Sequence, residues 1–429
     1  MSCTETIPEL DMFAQEEIDL AAELLDSVAA MSPDTNGVSR PAWSPKETEV
    51  LDYLAARAEA EGLAVWSDPL DNRLFSLPED RHAPGYTLIG SHVDSVPVGG
   101  NFDGLAGVIA GLICLIHQRR KGDRFSGPVR VIAMRGEESA WFGPCYTASR
   151  ALTGGLDAEA LGATHKGDAR TLADHMADVG VDLAPVHAGR PLMDLSEIKE
   201  YLELHIEQGP LLLTDDRAAA VVTGIRGNIR LKKIVAHGEA GHSGAVPREY
   251  RRDPVMATAQ LLSAMDALWA AEVSDGTDLV MTTGMIGTDP AHHAMARIPE
   301  SVSFSFEARS QSPETLARIE QAFLGKAREI GERTGVDFEV PDPIRNAPAA
   351  LDDDVQRRLL DAMERAGQAR YAMPSGGGHD AAVFANAGVR AGMVFVRSRG
   401  GSHNPAESMT PEDMMAGASI FLAHVTGRD

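Results

Sequence analysis

Five short segments of this chain carry side chains able to hold a divalent cation or move a proton. In Gly90-Ser-His92-Val-Asp94-Ser-Val the carboxylate two residues after the imidazole can accept a hydrogen bond from the second ring nitrogen and fix the tautomer. In Gly99-Gly-Asn-Phe-Asp103-Gly, Asp103 sits in a glycine-rich loop that opens the apolar stretch Leu105 to Gln118. Helix N-terminal amides there can steady a carboxylate shared by two cations. The adjacent Glu137 and Glu138 follow Val131-Ile-Ala-Met-Arg-Gly. Two ionised neighbours repel, which calls for positive charge nearby, and a cation held by one leaves the other able to take a proton from water. His205 in Leu202-Glu-Leu-His205-Ile-Glu-Gln208 and His403 in Gly401-Ser-His403-Asn-Pro complete the set.

Each segment alone also fits a plainer reading. His-x-Asp is satisfied by a hydrogen-bonded surface pair, the glycines by a tight turn or phosphate cradle, the Glu pair by a solvated loop, and a lone strand-end His by a structural role. Taken together, His92, Asp103, Glu138, His205 and His403 offer nitrogen and oxygen donors without thiolate. That donor set suits zinc, and also manganese, cobalt or nickel.

The elements that must position these residues read as α/β. Apolar runs Tyr86 to Gly90, Val129 to Met134, Tyr201 to Leu204 and Met393 to Val396 each end at or just before one of the polar clusters. Ligands of open α/β sheets bind beyond the carboxyl ends of strands, so the four runs can converge on one site. Between about Arg217 and Val340 the order becomes strand, helix, strand, strand, helix, strand, a split βαβ unit. Strands are expected over Ile229 to Ala236, Leu279 to Ile286 and Ser301 to Ala308, and helices over Pro254 to Val273 and Pro313 to Thr334. The expected fold is therefore a mixed-sheet catalytic domain in two segments, 1–214 and 335–429, with an inserted α+β ferredoxin-like domain at 215–334. A chain of 429 residues favours two cores over one.

Composition narrows the partners. Lys and Arg number 39 against 63 Asp and Glu, a net charge of −24, which repels a phosphate backbone and argues against nucleic acid. Cys3, Cys114 and Cys145 form no CxxC pair, so neither a disulfide framework nor a thiolate zinc site is expected. The acidic N-terminus lacks the order of a signal peptide, and no apolar run is long enough to span a bilayer. A cytoplasmic protein without membrane attachment is the expectation.

Five motifs, in order, carry a family resemblance: GSHVDSVPVGGNFDG, EES, LELHIEQGP, SGGGHDA from Ser375 to Ala381, and FVRSRGGSHNPAE. With them the chain resembles the M20 metallopeptidase-like amidohydrolases from about Glu17 to His424. The nearest resemblance is to the hydantoinase/carbamoylase branch of N-carbamoyl-L-amino acid hydrolases, allantoate amidohydrolases and ureidopropionases. It implies two divalent ions, one on His92, Asp103 and His205 and the second on Asp103, Glu138 and His403, with Asp103 bridging. It implies Glu137 as general base acting on metal-activated water, Asp94 orienting His92, and His242 supplied across a homodimer interface to stabilise the oxyanion. Gln208, Arg309, Gly377 and Gly378 would contact a small amide or ureido substrate, with Arg309 clamping its carboxylate. Histidine rather than an acidic ligand at position 205 favours ureido or amide substrates over peptides, and a lid that reaches the site would close over substrate.

One stretch departs from the family pattern. Where Asn-x-Ile-Pro-Gly is usual, the chain reads Ala296-Arg-Ile-Pro-Glu300, and Ser-Gly-Ala-Val-Pro follows His242 in place of Ala-Gly-Thr-Thr-Pro. The metal chemistry is untouched, but the usual substrate amide is missing, and Arg297, His292 or His293 could replace it. The first expectation is a carbamoyl or ureido hydrolase. An N-acyl amino acid amidase or small dipeptidase is the alternative on the same fold, and a non-catalytic metal-binding scaffold, which would have no need of Glu137, is the alternative of another class.

Overall fold

The computed structural model describes residues 12–427; Cys3 and the rest of the acidic N-terminus lie outside them. The described residues form two compact units, 12–223 with 350–427, and 224–349.

The first unit is built on a mixed sheet. Its centre is four parallel strands in the order Ala391–Val396, Ile198–Ile206, Tyr86–His92 and Val129–Met134. These are the four runs read as strands from sequence, three of them longer by two to five residues. They are buried along nearly their whole length, because helices cover the sheet and strands shielded on both faces must be apolar throughout. Antiparallel strands flank them: Ala219–Ile225 on one side, and Arg73–Ser76 with Ala64–Ser67 on the other. Helix Leu105–Lys121 is buried from Leu105 to Gln118, so it carries no polar stripe. Helix Pro411–Thr426 starts from a Thr410 cap with proline in its first turn and packs in the same core. No described helix is long and apolar enough to cross a membrane.

The second unit follows the expected order of elements. Strands Val280–Thr282, Ser301–Ser310, Gly227–His237 and Asp337–Glu339 lie side by side in that order, each antiparallel to its neighbour. With helices Pro254–Ser274 and Pro313–Thr334 this is the ferredoxin-like arrangement. Ser301–Ser310 alternates strictly between half-buried and buried residues, as a strand with one covered face must.

Two details differ from the sequence expectation. The run Leu279 to Ile286 is two short strands, Val280–Thr282 and Ile286–Gly287, interrupted at Thr283-Gly284-Met285. The unit boundaries fall at 223/224 and 349/350 rather than 214/215 and 334/335. Ala219–Ile225 pairs with the central strand Ala391–Val396, and the fourth strand of the small sheet lies beyond Thr334.

Candidate active site

The parallel register sends four chain segments out of one edge of the main sheet, and their polar ends meet. His92 closes its strand, and Asp103 is separated from helix Leu105–Lys121 by its N-cap residue, Gly104. Gly104 between them has φ +68°, and a Cβ there would stand 2.4 Å from the His92 ring, so only glycine lets the loop pass the imidazole. Glu137 and Glu138 follow Val129–Met134, His205 lies one residue inside the end of Ile198–Ile206, and His403 follows Ala391–Val396.

The donor atoms form two triads that share Asp103. His92 Nε2 and His205 Nε2 lie 3.4 and 3.1 Å from Asp103 Oδ1. His403 Nε2 lies 3.7 Å from Asp103 Oδ2 and 3.2 Å from Glu138 Oε1. Donors bound tetrahedrally at about 2.1 Å stand about 3.4 Å apart, so each group is spaced to take one ion. His92 Nε2 and Glu138 Oε1 are also buried without a hydrogen-bond partner. Buried polar atoms rarely lack one, and a cation satisfies both. The residues present therefore fit a pair of divalent ions.

The neighbouring groups fix the ligands. His92 Nδ1 faces the carbonyl of Asp94 at 3.1 Å and its Oδ1 at 3.3 Å, while His205 Nδ1 faces the carbonyl of Ile206 at 3.0 Å. A backbone acceptor at Nδ1 holds the proton there and leaves Nε2 for a metal. Asp94 has a second role that its sequence position did not disclose: its two oxygens accept the backbone amides of Glu137 and Glu138 at 2.9 and 3.0 Å. Asp103 Oδ2 accepts from Gln208 Nε2 at 2.8 Å and from Ser402 Oγ at 2.5 Å. Glu407, also passed over in the sequence, accepts the amides of Phe102 and Asp103 and has Ser402 Oγ 3.1 Å from its Oε2. Its one sequence signal is its place four residues after His403 in the SHNPAE motif.

The electrostatics follow from burial of so much negative charge. Asp94, Asp103, Glu137, Glu138 and Asp380 are all nearly inaccessible. Burial, with Glu138 and Asp380 close, drives Glu137 well above the usual carboxylate range despite the pull of His92. Burial would also raise Asp103, but the imidazoles of His205 and His92 hold it well below that range. The Glu138 carboxylate, 3.2 Å away, lifts His403 to about 9. A pocket arranged in this way attracts cations, and Glu137, 3.9 Å from His92 Nε2, stands beside the donors with a raised proton affinity suited to a base.

The remaining candidates are placed as follows. The Cβ positions of Gly377 and Gly378 are filled by Gln208 Oε1 at 2.5 Å and the Tyr146 hydroxyl at 1.8 Å, so these glycines make room for the protein's own side chains. His242 and Arg309 belong to the second unit. His242 is exposed, on a two-residue strand paired with Arg297–Ile298, and Arg309 lies 3.1 Å from Glu307. His292 and His293 are exposed, beside Asp289 and Thr288.

Comparison with known proteins agrees with this geometry. Residues 88–426 match the peptidase family M20/M25/M40. An N-carbamoyl-L-amino acid amidohydrolase of Geobacillus stearothermophilus is 32% identical over 390 residues, 90% of this chain and 92% of that protein. Allantoate deiminase 1 of Glycine max is 28% identical, covering 96% and 90%. The crystal structure of a hydantoinase/carbamoylase family amidase from Burkholderia multivorans superposes with a TM-score of 0.84 at 26% identity, covering 95% and 97%. The chain belongs to the M20/M25/M40 peptidase family, in its hydantoinase/carbamoylase branch.

Proposed function

We propose that the protein is a binuclear metal-dependent amidohydrolase that cleaves the carbon–nitrogen bond of a small N-carbamoyl amino acid or related ureido compound. The observation that carries this reading is the sharing of Asp103 between two donor triads, with Glu137 beside them and bound to neither. Histidine at position 205, and relatives that act on N-carbamoyl-L-amino acids and on allantoate, support the ureido class.

His92, Asp103 and His205 would hold one ion and Asp103, Glu138 and His403 the other, with zinc the first expectation from the donors. When bound, the ions supply the positive charge that lowers the proton affinity of water and polarises the scissile carbonyl. Glu137 takes the proton from the attacking water and returns it to the departing nitrogen. Asp94 holds both glutamates by their amides and keeps His92 in one orientation. Gln208 and Ser402 share the charge of Asp103 Oδ2.

The second unit would supply His242 for the oxyanion and Arg309 for the substrate carboxylate, in a homodimer built through that unit. Of the ten exposed large hydrophobic residues among those described, eight lie there, including Met285, Ile286 and Met295.

Glu137→Gln tests the mechanism. Turnover of N-carbamoyl amino acids should fall by about 10³-fold or more with metal content nearly unchanged, and an active variant would remove Glu137 as base.

One observation favours a second reading, an N-acyl amino acid amidase. Ser243 N donates to Ala296 O at 2.9 Å, so position 296 stands beside the His242 segment with a methyl group in place of an amide. Ammonia released from N-carbamoyl amino acids, against carboxylic acid released from N-acyl amino acids, separates the two.

A further inference from the structure

A second set of metal-type donors lies outside the candidate active site, in the segment between strands Val129–Met134 and Ile198–Ile206. His165, Asp168 and His175 place one donor atom each within 4.8 Å of one another. Asp168 Oδ1 lies 3.3 Å from His165 Nδ1, and Asp168 Oδ2 lies 3.2 Å from His175 Nε2. These spacings match those of the triads around Asp103, 3.1 to 3.7 Å.

The backbone prearranges this group. Thr164 and Thr171 bridge across the loop, His165 N donates to Arg170 O at 2.8 Å and Ala169 N to His165 O at 3.0 Å. Thr171 then caps helix Leu172–Asp178, which presents His175 one turn on. Both imidazoles are walled by aromatic rings: Trp141 stacks on His165 at 5.7 Å and 8°, and Phe142 lies 5.0 Å from His165 and 5.1 Å from His175. Ring orientation is thus set by packing, while Asp168 keeps 44% of its side-chain surface in water and leaves a route for an ion and its remaining water ligands.

The donor chemistry supplies the second line of argument. Asp168 faces both imidazoles, and two imidazoles with one carboxylate are borderline ligands suited to zinc.

We infer that His165, Asp168 and His175 form a structural divalent-cation site, of the zinc class, separate from the catalytic pair. Its role is to brace the turn after Glu137 and Glu138. Trp141, stacked on the ligand His165, donates through Nε1 to Ser95 O at 2.8 Å, next to Asp94, and accepts from Lys166 N at 3.0 Å. The inference does not rest on the proposed hydrolase reaction, since its readout is bound metal.

The test is zinc content per chain after equilibration at low micromolar free zinc, on the full-length protein. Asp168→Asn and the double variant His165→Ala/His175→Ala should each retain one ion fewer than the wild type. Zinc should also raise the melting temperature of the wild type by roughly 2–5 °C more than that of Asp168→Asn. Asp168 is half exposed, so its asparagine variant should fold even where the double alanine variant does not. Equal zinc content in wild type and a folded Asp168→Asn, or retention of the extra ion only at millimolar zinc, overturns the proposal.

Discussion

Glu407 Oε1 accepts the backbone amide of Asp103 at 3.1 Å, across 304 residues of sequence. The same oxygen takes the amide of Phe102, and Oε2 lies 3.1 Å from the Ser402 hydroxyl, whose one proton goes to Asp103 at 2.5 Å. One buried carboxylate thereby fixes the loop that carries the shared metal ligand and joins it to the loop that carries His403.

Removing that carboxylate should loosen both triads. Glu407→Ala strands two buried amides and frees the Asp103 loop, and loss of a residue that orients metal ligands typically costs 10–100-fold in metal affinity. Chelator competition on the folded variant should show a weakening of about that size. Wild-type affinity would mean that the loop is held by other contacts.

Asp94→Asn probes the other support. One side-chain oxygen becomes an NH₂ group that must face the amide of Glu137 or Glu138, or His92. Since the glutamates are displaced together with His92, kcat should drop about 100-fold, with a smaller loss of bound metal. Steady-state kinetics alongside metal analysis would show it, and an unaltered kcat would reduce Asp94 to a packing role.

Gly378 is expected to tolerate no side chain while Tyr146 keeps its hydroxyl. A Cβ at 378 would lie 1.8 Å from that oxygen and 2.9 Å from the ring carbon bearing it. Gly378→Ala should destabilise the protein by about 1–3 kcal/mol. Tyr146→Phe in the same chain should recover a good part of that loss, so a denaturant double-mutant cycle gives a coupling well above zero. Additive effects would place the strain elsewhere.

The sheet and the metal ligands were legible in the sequence for one physical reason. Parallel strands covered on both faces must be apolar runs, and each of these runs ends at or a few residues before its functional residue, so Ile198–Ile206 announces His205 and Val129–Met134 announces Glu137. What could not be read depends on closure in three dimensions. Glu407 meets Asp103 only once the last sheet strand returns beside Ile198–Ile206, and Gln208 turns onto Asp103 through a left-handed backbone at φ +62°. Asp94 was legible as a partner of His92 two residues away, but its grip on Glu137 and Glu138 requires the parallel register between Tyr86–His92 and Val129–Met134. The break at Thr283-Gly284-Met285 was missed because the flanking residues keep an apolar pattern through it.

Acid stability should depend on Glu200, away from the metal ligands. Burial would raise its pKa, but hydrogen bonds from His424 Nε2 at 2.8 Å and from Arg358 at 2.5 Å outweigh burial and bring it down to about 2. A carboxylate depressed in the folded state adds stability that is fully present above its unfolded pKa, about 4.3. That stability is lost as pH falls from there through about 2. The side chain is 8% exposed, so little of the effect is screened by solvent, and the contribution at neutral pH is up to about 3 kcal/mol. Glu200→Gln should therefore lower stability at pH 7 by an amount of that order and flatten the decline between pH 4.5 and 2. Urea unfolding at several pH values gives both numbers, and a parallel offset between variant and wild type down to pH 2 would show that Glu200 is not the titrating group.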